Sequence, residues 1–178
     1  MITVFYGGSR RGGNNELLAQ EVVKGIEHHA VYLQDMTIQP IVDGRHDEAG
    51  FQAVDDDYDQ IIELLLKSEV LIFATPVYWY SMSGVMKVMI DRLSQAMRDE
   101  RYPTLLAHLK TVKTIVVAVG GDEPRIKALP MIQQFHYIFD FLNMPFTHYI
   151  IGEGNKPGDV LKDAQAMTEA KQLNDRLK

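Results

Sequence analysis

Apolar residues along the chain follow two alternating rhythms. Ile2 to Tyr6, Val70 to Ala74 and Ile115 to Val119 are nearly unbroken apolar runs, the pattern of strands buried on both faces of a parallel sheet. Ala30 to Leu33 and Phe146 to Ile151 are weaker or alternating, which suits strands nearer the edges. Between these runs the apolar residues recur at helical spacing: Leu18, Val22 and Ile26; Tyr58, Ile61, Ile62 and Leu65; Met82, Val85, Met86, Met89, Ile90 and Leu93; Ile132, Phe135, Phe139 and Leu142; Val160, Leu161, Ala164 and Met167. Strand and helix alternate five times, which predicts an α/β fold with a doubly wound five-stranded parallel sheet and helices on both faces. Five strands favour the order 2-1-3-4-5, with ligands bound beyond the carboxyl ends of strands one and three. The segments Gly7 to Asn15, Pro76 to Ser83 and Gly120 to Asp122 should therefore converge.

The first of these segments reads Gly-Gly-Ser-Arg-Arg-Gly-Gly-Asn-Asn. Its four glycines let the backbone bring N–H groups close to a ligand, and Ser9, Asn14 and Asn15 add side-chain donors. A helix starting near Asn14 or Asn15 points its positive end at the loop, and Arg10 and Arg11 add charge, so the loop suits a phosphate group. Two common phosphate motifs fail here. In the triphosphate-binding frame Gly8 to Gly13, Asn14 stands where a lysine is needed and Asn15 where a magnesium-binding hydroxyl is needed. The dinucleotide pattern G-x-G-x-x-G occurs in no frame, and Asp35, about 20 residues on, reads as a strand-end residue. A Gly-rich turn can also serve packing alone, and the loop by itself leaves both readings open. The second loop, Pro76-Val77-Tyr78-Trp79-Tyr80, carries three consecutive aromatics at a strand end; they cannot all point inward, so at least one lines a pocket suited to a flat ligand. Gly120-Gly121 offers bare backbone N–H groups beside it.

Composition narrows the chemistry. At 178 residues, 46% of them hydrophobic, and with no visible linker, residues 1–178 read as one domain. A net charge of −6 argues against nucleic acid or an anionic membrane as partner. No apolar run approaches the ~20 residues of a membrane span and no leader precedes Ile2, so the expected location is cytoplasmic. The absence of cysteine excludes disulfides, a cysteine nucleophile for phosphate and redox work by protein thiols, so electron transfer would require a bound cofactor.

A phosphate cradle, an aromatic-walled slot and a Gly-Gly loop together call for a monophosphate tail on a planar head, and FMN has both. The motifs Gly8-Ser9-Arg10-Arg11-Gly12-Gly13-Asn14-Asn15 and Pro76-Val77-Tyr78-Trp79, continued by Ser81-Met82-Ser83-Gly84, Lys87 and Ile90-Asp91-Arg92, resemble those of the NADPH-dependent FMN reductases. The resemblance covers essentially the whole chain. It implies a single flavodoxin-like domain that binds FMN through Gly8, Ser9, Arg11, Gly13, Asn14, Asn15, Pro76, Val77, Tyr78, Trp79, Tyr80, Gly120 and Gly121. Arg11 is preferred over Arg10 by motif position. It also implies NADPH or NADH as co-substrate, a small acceptor such as free flavin or a quinone, and a homodimer or homotetramer. No protein acid or base is demanded, because the flavin carries the hydride. Two departures stand out: Asn15 replaces a usual Ser or Thr, and Ile38 to Asp47 resembles a segment that in many relatives carries cysteines but here has none. His46 beside Asp47 and Glu48 reads as surface, and no metal is assigned.

The alternative is a flavodoxin-type electron carrier that docks to proteins and never turns over nicotinamide. The Arg-containing first loop and the modest net charge count against it. Three further expectations concern structure. Asp55-Asp56-Asp57 should cap the second helix, and His28 and His29 should end the first. The long connection Met36 to Asp57 should border the active site or a subunit interface and hold no iron. The apolar positions between Met82 and Met97 serve either the core or a subunit contact.

Overall fold

In the computed structural model, which describes residues 1–178, five parallel strands form one sheet. They are β1 Ile2–Tyr6, β2 His28–Tyr32, β3 Val70–Pro76, β4 Lys113–Gly120 and β5 Phe146–Glu153, in the order β2-β1-β3-β4-β5. Eight helices accompany them: α1 Asn14–Val22, α2 Tyr58–Lys67, α3 Gly84–Asp91, α4 Leu93–Ala96, α5 Leu105–Leu109, α6 Pro124–Lys127, α7 Leu129–Phe141 and α8 Ala164–Leu177. The winding direction reverses between the neighbours β1 and β3, as in flavodoxin-like sheets, and opens a crevice at their carboxyl ends.

Alternation along the central strands feeds two separate cores. Val4, Tyr6, Ile72, Ala74, Ile115 and Val117 pack with Leu18 and Val22 of α1 and Ala170 and Leu173 of α8. Phe5, Leu71, Phe73, Val116 and Ala118 face the other way, toward Ile61, Met86 and Phe135 of α2, α3 and α7. Burial on both faces is why these strands read as unbroken apolar runs. Phe73 lies 5.8, 5.9 and 5.2 Å from the rings of Phe5, Phe135 and Phe139, fixing β3 against α7.

Several local expectations need correction. Gly25, with φ of 72°, stops the chain after α1, and His28 and His29 open β2 instead of ending the helix. Met82, Met86, Met89 and Ile90 are buried and Leu93 and Met97 pack against the same core, so only Val85 is left exposed. That segment is core, broken into α3 and α4 near Arg92, and it offers no broad surface to a second subunit. Exposed aromatics do stand on α7 and β5, at Tyr137, Phe141 and Tyr149.

The connection 36–57 is closed at its neck by backbone and carboxylate pairs. Asp57 N–H donates to Thr37 O at 2.8 Å, and Thr37 N–H to Asp57 Oδ2 at 2.7 Å. Of the three aspartates, Asp56 does the most. It accepts Tyr58 N–H at 3.1 Å, Gln39 N–H at 2.9 Å and the guanidinium of buried Arg92. A tethered neck lets a long connection hold one shape without secondary structure of its own.

Candidate functional site

Two cavities meet at the carboxyl ends of the strands. One, about 130 Å³, is lined by Gly8, Ser9, Arg10, Gly13, Asn14 and Asn15 from the first loop, Pro76, Val77 and Tyr78 from the second, Val119 to Gly121 from β4 and the third loop, and Gly154 and Asn155 after β5. The other, about 190 Å³, is lined by Val77, Trp79, Tyr80, Gly120, Gly121, Asp122, Pro124, Lys127 and Ala128. They share Val77, Gly120 and Gly121, so they form one elongated site, polar at one end and aromatic at the other. A larger groove of about 920 Å³ lies along the free edge of β5 between α7 and α8 and shares no residue with these loops.

The polar end is built to receive an anion. Leu17 is the first residue of α1 whose N–H finds a carbonyl, Gly13 O at 3.0 Å, leaving the N–H groups of Asn14, Asn15 and Glu16 without a backbone partner. Gly12 turns the loop with φ of 66°, and its N–H is held by Glu16 Oε2 at 2.7 Å. Ser9 Oγ lies at the pocket wall, 3.0 Å from Tyr78 Oη. Arg10 lines the pocket and forms no ion pair.

Three expected phosphate contacts take other roles. Arg11 turns toward β2, where its guanidinium lies 3.1 Å from the centroid of the Tyr32 ring and pairs with Asp35. Motif position favoured Arg11, but the acid and the aromatic at the end of β2 draw it away and leave Arg10 at the pocket. Asn15 donates its amide to Ala74 O at 3.2 Å and pins the loop to β3. Asn14 donates to Lys156 O at 2.9 Å and accepts Val160 N–H at 3.4 Å, so its side chain holds the segment after β5. What these two asparagines offer a ligand is backbone N–H.

The aromatic end is a two-residue hairpin. Tyr78 and Ser81 exchange both backbone bonds, at 2.9 and 3.0 Å, and the residues between them, Trp79 and Tyr80, have φ of 48° and 60°. Positive φ at both central positions makes a type I′ turn, a geometry that strongly prefers Asn-Gly. Side chains clamp it on three sides: Tyr78 to Ser9, Tyr80 Oη to Asp122 Oδ2 at 2.9 Å, and Ser81 Oγ to Gln134 Oε1 at 3.0 Å. The bond to Asp122 raises the Tyr80 hydroxyl above its ordinary range, while Lys127 and then Tyr80 hold the Asp122 carboxyl below its own. Trp79 at the tip is 95% exposed. The N–H groups of Trp79, Tyr80, Gly121 and Asp122 make no hydrogen bond within the chain, whereas Val77 N–H is taken by Val119 O.

Twelve of the thirteen residues expected from sequence thus line one of the two cavities, Arg11 being the exception. Sequence reasoning missed Arg10 as the pocket-facing arginine, and it missed Gly154 and Asn155. The same rule that selected the loops after strands one, three and four, applied to Gly152-Glu153-Gly154-Asn155 after the fifth, points to them. No residue of 36–57 lines either cavity, so that connection does not border this site.

The donor set fits FMN. Free helix-start N–H groups, a hydroxyl and an unpaired arginine suit its phosphate, and an aromatic and Gly-Gly slot with free N–H groups suits its ring. Comparison with known proteins agrees. The sequence profile of the NADPH-dependent FMN reductase family matches residues 1–156. YwqN of Bacillus subtilis, classed as an NAD(P)H-dependent FMN-containing oxidoreductase, is 51% identical over 172 residues, covering 97% of this chain and 95% of that protein. The solved structure titled Trp repressor binding protein from Bacillus subtilis superposes with a TM-score of 0.83 at 44% identity, covering 97% of each chain. An NAD(P)H:quinone oxidoreductase from Methanothermobacter marburgensis shares the fold, with a TM-score of 0.72 at 13% identity over 99% of this chain and 98% of that one.

Proposed function

The chain belongs to the NADPH-dependent FMN reductase family, and from that premise we propose that the two-part cavity holds FMN and that the protein passes electrons from NADPH or NADH to a small acceptor such as a quinone or free flavin. The observation that carries this reading is the junction of a polar cradle and an aromatic slot through Val77, Gly120 and Gly121. The family, and not the cavity, favours an enzyme over a carrier, since an electron carrier would hold FMN in the same way.

In this reading the N–H groups of Asn14, Asn15 and Glu16, the Ser9 hydroxyl and Arg10 hold the phosphate. Ser9 then exchanges its Tyr78 contact for a charge-assisted one. Bound FMN supplies the hydride and electron chemistry. The free N–H groups of Trp79, Tyr80, Gly121 and Asp122 provide fixed dipoles for negative charge at the aromatic end, and the clamped hairpin keeps them aimed. Nicotinamide and acceptor share one opening beside Trp79, so they bind in turn, and initial-rate plots at several acceptor concentrations should give the parallel lines of ping-pong kinetics. Intersecting lines would show that both bind together.

The arginines separate cleanly. Arg10→Ala should weaken FMN about 10-fold, the scale of an exposed charge-assisted contact, while Arg11→Ala should change affinity less than about 2-fold. Flavin fluorescence titration measures both, and the reverse ranking would restore Arg11 to the phosphate.

A cytoplasmic homodimer completes the proposal. Tyr137, Phe141 and Tyr149 are exposed aromatics outside the two cavities and offer a surface for the contact, and no helix is long and apolar enough to cross a membrane. Sedimentation at micromolar concentration should give the dimer; a fully active monomer would refute that part.

A further inference from the structure

The segment after β5 is fastened to the first and third loops although no motif marks it. Gly154 N–H donates to Gly120 O at 2.9 Å, and Asn14 takes Lys156 O and Val160 N–H with the two ends of its amide. The fit is close: a side chain at Gly154 would bring its Cβ within 2.9 Å of both Asn14 Nδ2 and the Val160 nitrogen. Lys156 N–H is held by Asp159 at 2.7 Å and Glu153 N–H by Asp163 at 2.7 Å, and Asp163 is in turn paired with Arg125. These bonds fix the position of one exposed residue, Asn155. Its Cβ and Cγ would lie 3.1 and 3.2 Å from a Cβ built on Gly121, so it rests flat against the third loop. Asn155 lines the polar cavity, and while its backbone N–H is taken by Asp159, its side-chain amide makes no hydrogen bond within the chain.

We propose that Asn155 binds the ribityl chain of FMN and that Asn14 is the positioning residue that holds it there. The inference rests on the flavin reading above and adds a fourth loop to it. Asn155 lines only the polar cavity, but the glycine it covers belongs to both, so it stands where the polar cradle passes into the aromatic slot. In a ligand with a phosphate at one end and a ring at the other, the intervening portion is a polyol. An amide that both donates and accepts matches hydroxyls that do the same.

Three flavins distinguish this placement from its neighbours: FMN, riboflavin, which lacks the phosphate, and lumiflavin, which lacks the ribityl chain as well. Asn155→Ala should weaken FMN and riboflavin alike, by about 5- to 10-fold, and leave lumiflavin unchanged. Asn14→Ala should reproduce this pattern, and combining it with Asn155→Ala should add little, because the second change removes a residue already displaced. Asn155 is exposed and its replacement leaves the core intact, so the single variant stands even where Asn14→Ala folds poorly. A loss for FMN but not riboflavin would assign Asn155 to the phosphate, an equal loss for all three would assign it to the ring, and no loss would remove it from the site. Each of these overturns the proposal. Failure of the unaltered protein to bind any flavin would overturn both this placement and the flavin reading, and is thereby distinguishable from an unchanged Asn155 variant.

Discussion

Asp56→Ala is expected to destabilise the fold by about 3–5 kcal/mol, a large share of the stability of a domain this size. The carboxylate side chain is 0% exposed and its partner Arg92 is 4% exposed. Arg92 also donates to Gln39 O at 2.9 Å and Gln95 Oε1 at 3.0 Å, and its guanidinium carbon lies 4.8 Å from the centroid of the Tyr58 ring. Removing Asp56 strands that guanidinium in the interior and frees the neck of the 36–57 connection, since Gln39 and Tyr58 lose their acceptor at the same time. Replacing both partners by apolar residues, Asp56→Leu with Arg92→Met, should recover much of the loss, because a buried pair contributes little beyond what its own desolvation costs. Urea denaturation measures both. A loss below about 1 kcal/mol for Asp56→Ala would show that the pair behaves as a surface contact.

The same carboxylate sets an acid limit. Burial alone would raise Asp56, but the Arg92 guanidinium and the Gln39 and Tyr58 N–H groups outweigh it and hold the group below the usual range. A group depressed on folding contributes its stability above the unfolded value, about 3.9 for Asp, and loses it as pH falls through the folded value. Asp163 follows the same rule: burial opposes ionisation, while the Glu153 and Ala166 N–H groups and then Arg125 prevail. Stability should therefore fall below about pH 4, and less steeply in Asp56→Asn than in the parent.

The aromatic hairpin should yield the opposite sign. Trp79→Asn with Tyr80→Gly places the preferred dipeptide in a type I′ turn and should stabilise the fold by about 1–3 kcal/mol. Two non-glycine residues in left-handed backbone cost about 2–4 kcal/mol together, and losing the exposed Tyr80–Asp122 bond offsets only part of the gain. The same variant should lose most of its NAD(P)H oxidation, since the strained residues wall the slot. Greater stability with unchanged turnover would mean that the strain serves no function; no gain in stability would mean that the turn is relaxed by its clamps.

How much was legible follows from what each residue faces. The central strands could be read because burial on both faces leaves only one kind of residue, and the sheet order followed from their number. The three loops were legible because the sheet order brings their strand ends together, which no single Gly-rich or aromatic turn would have shown. The direction of an individual side chain was not. Arg10 and Arg11 are identical letters, separated only by an Asp35 and a Tyr32 that the sheet brings alongside. Asn14 looked like a ligand because it stands at a helix start, yet its amide is consumed by residues more than 140 positions away. The buried Arg92–Asp56 pair was hidden for the same reason, since 36 positions separate an aspartate that looked like a helix cap from an arginine that stood in the motif Ile90-Asp91-Arg92.

The central claim is that this cavity makes a flavin reducible by nicotinamide and reoxidisable by a small acceptor. The direct measurement is anaerobic mixing of the FMN-reconstituted, gel-filtered protein with NADPH or NADH, following the yellow flavin absorbance, and then adding a quinone. The absorbance should be retained through filtration, bleach on mixing with nicotinamide and return with quinone. Flavin that stays yellow with both nicotinamides, or that is lost on filtration, would contradict the account.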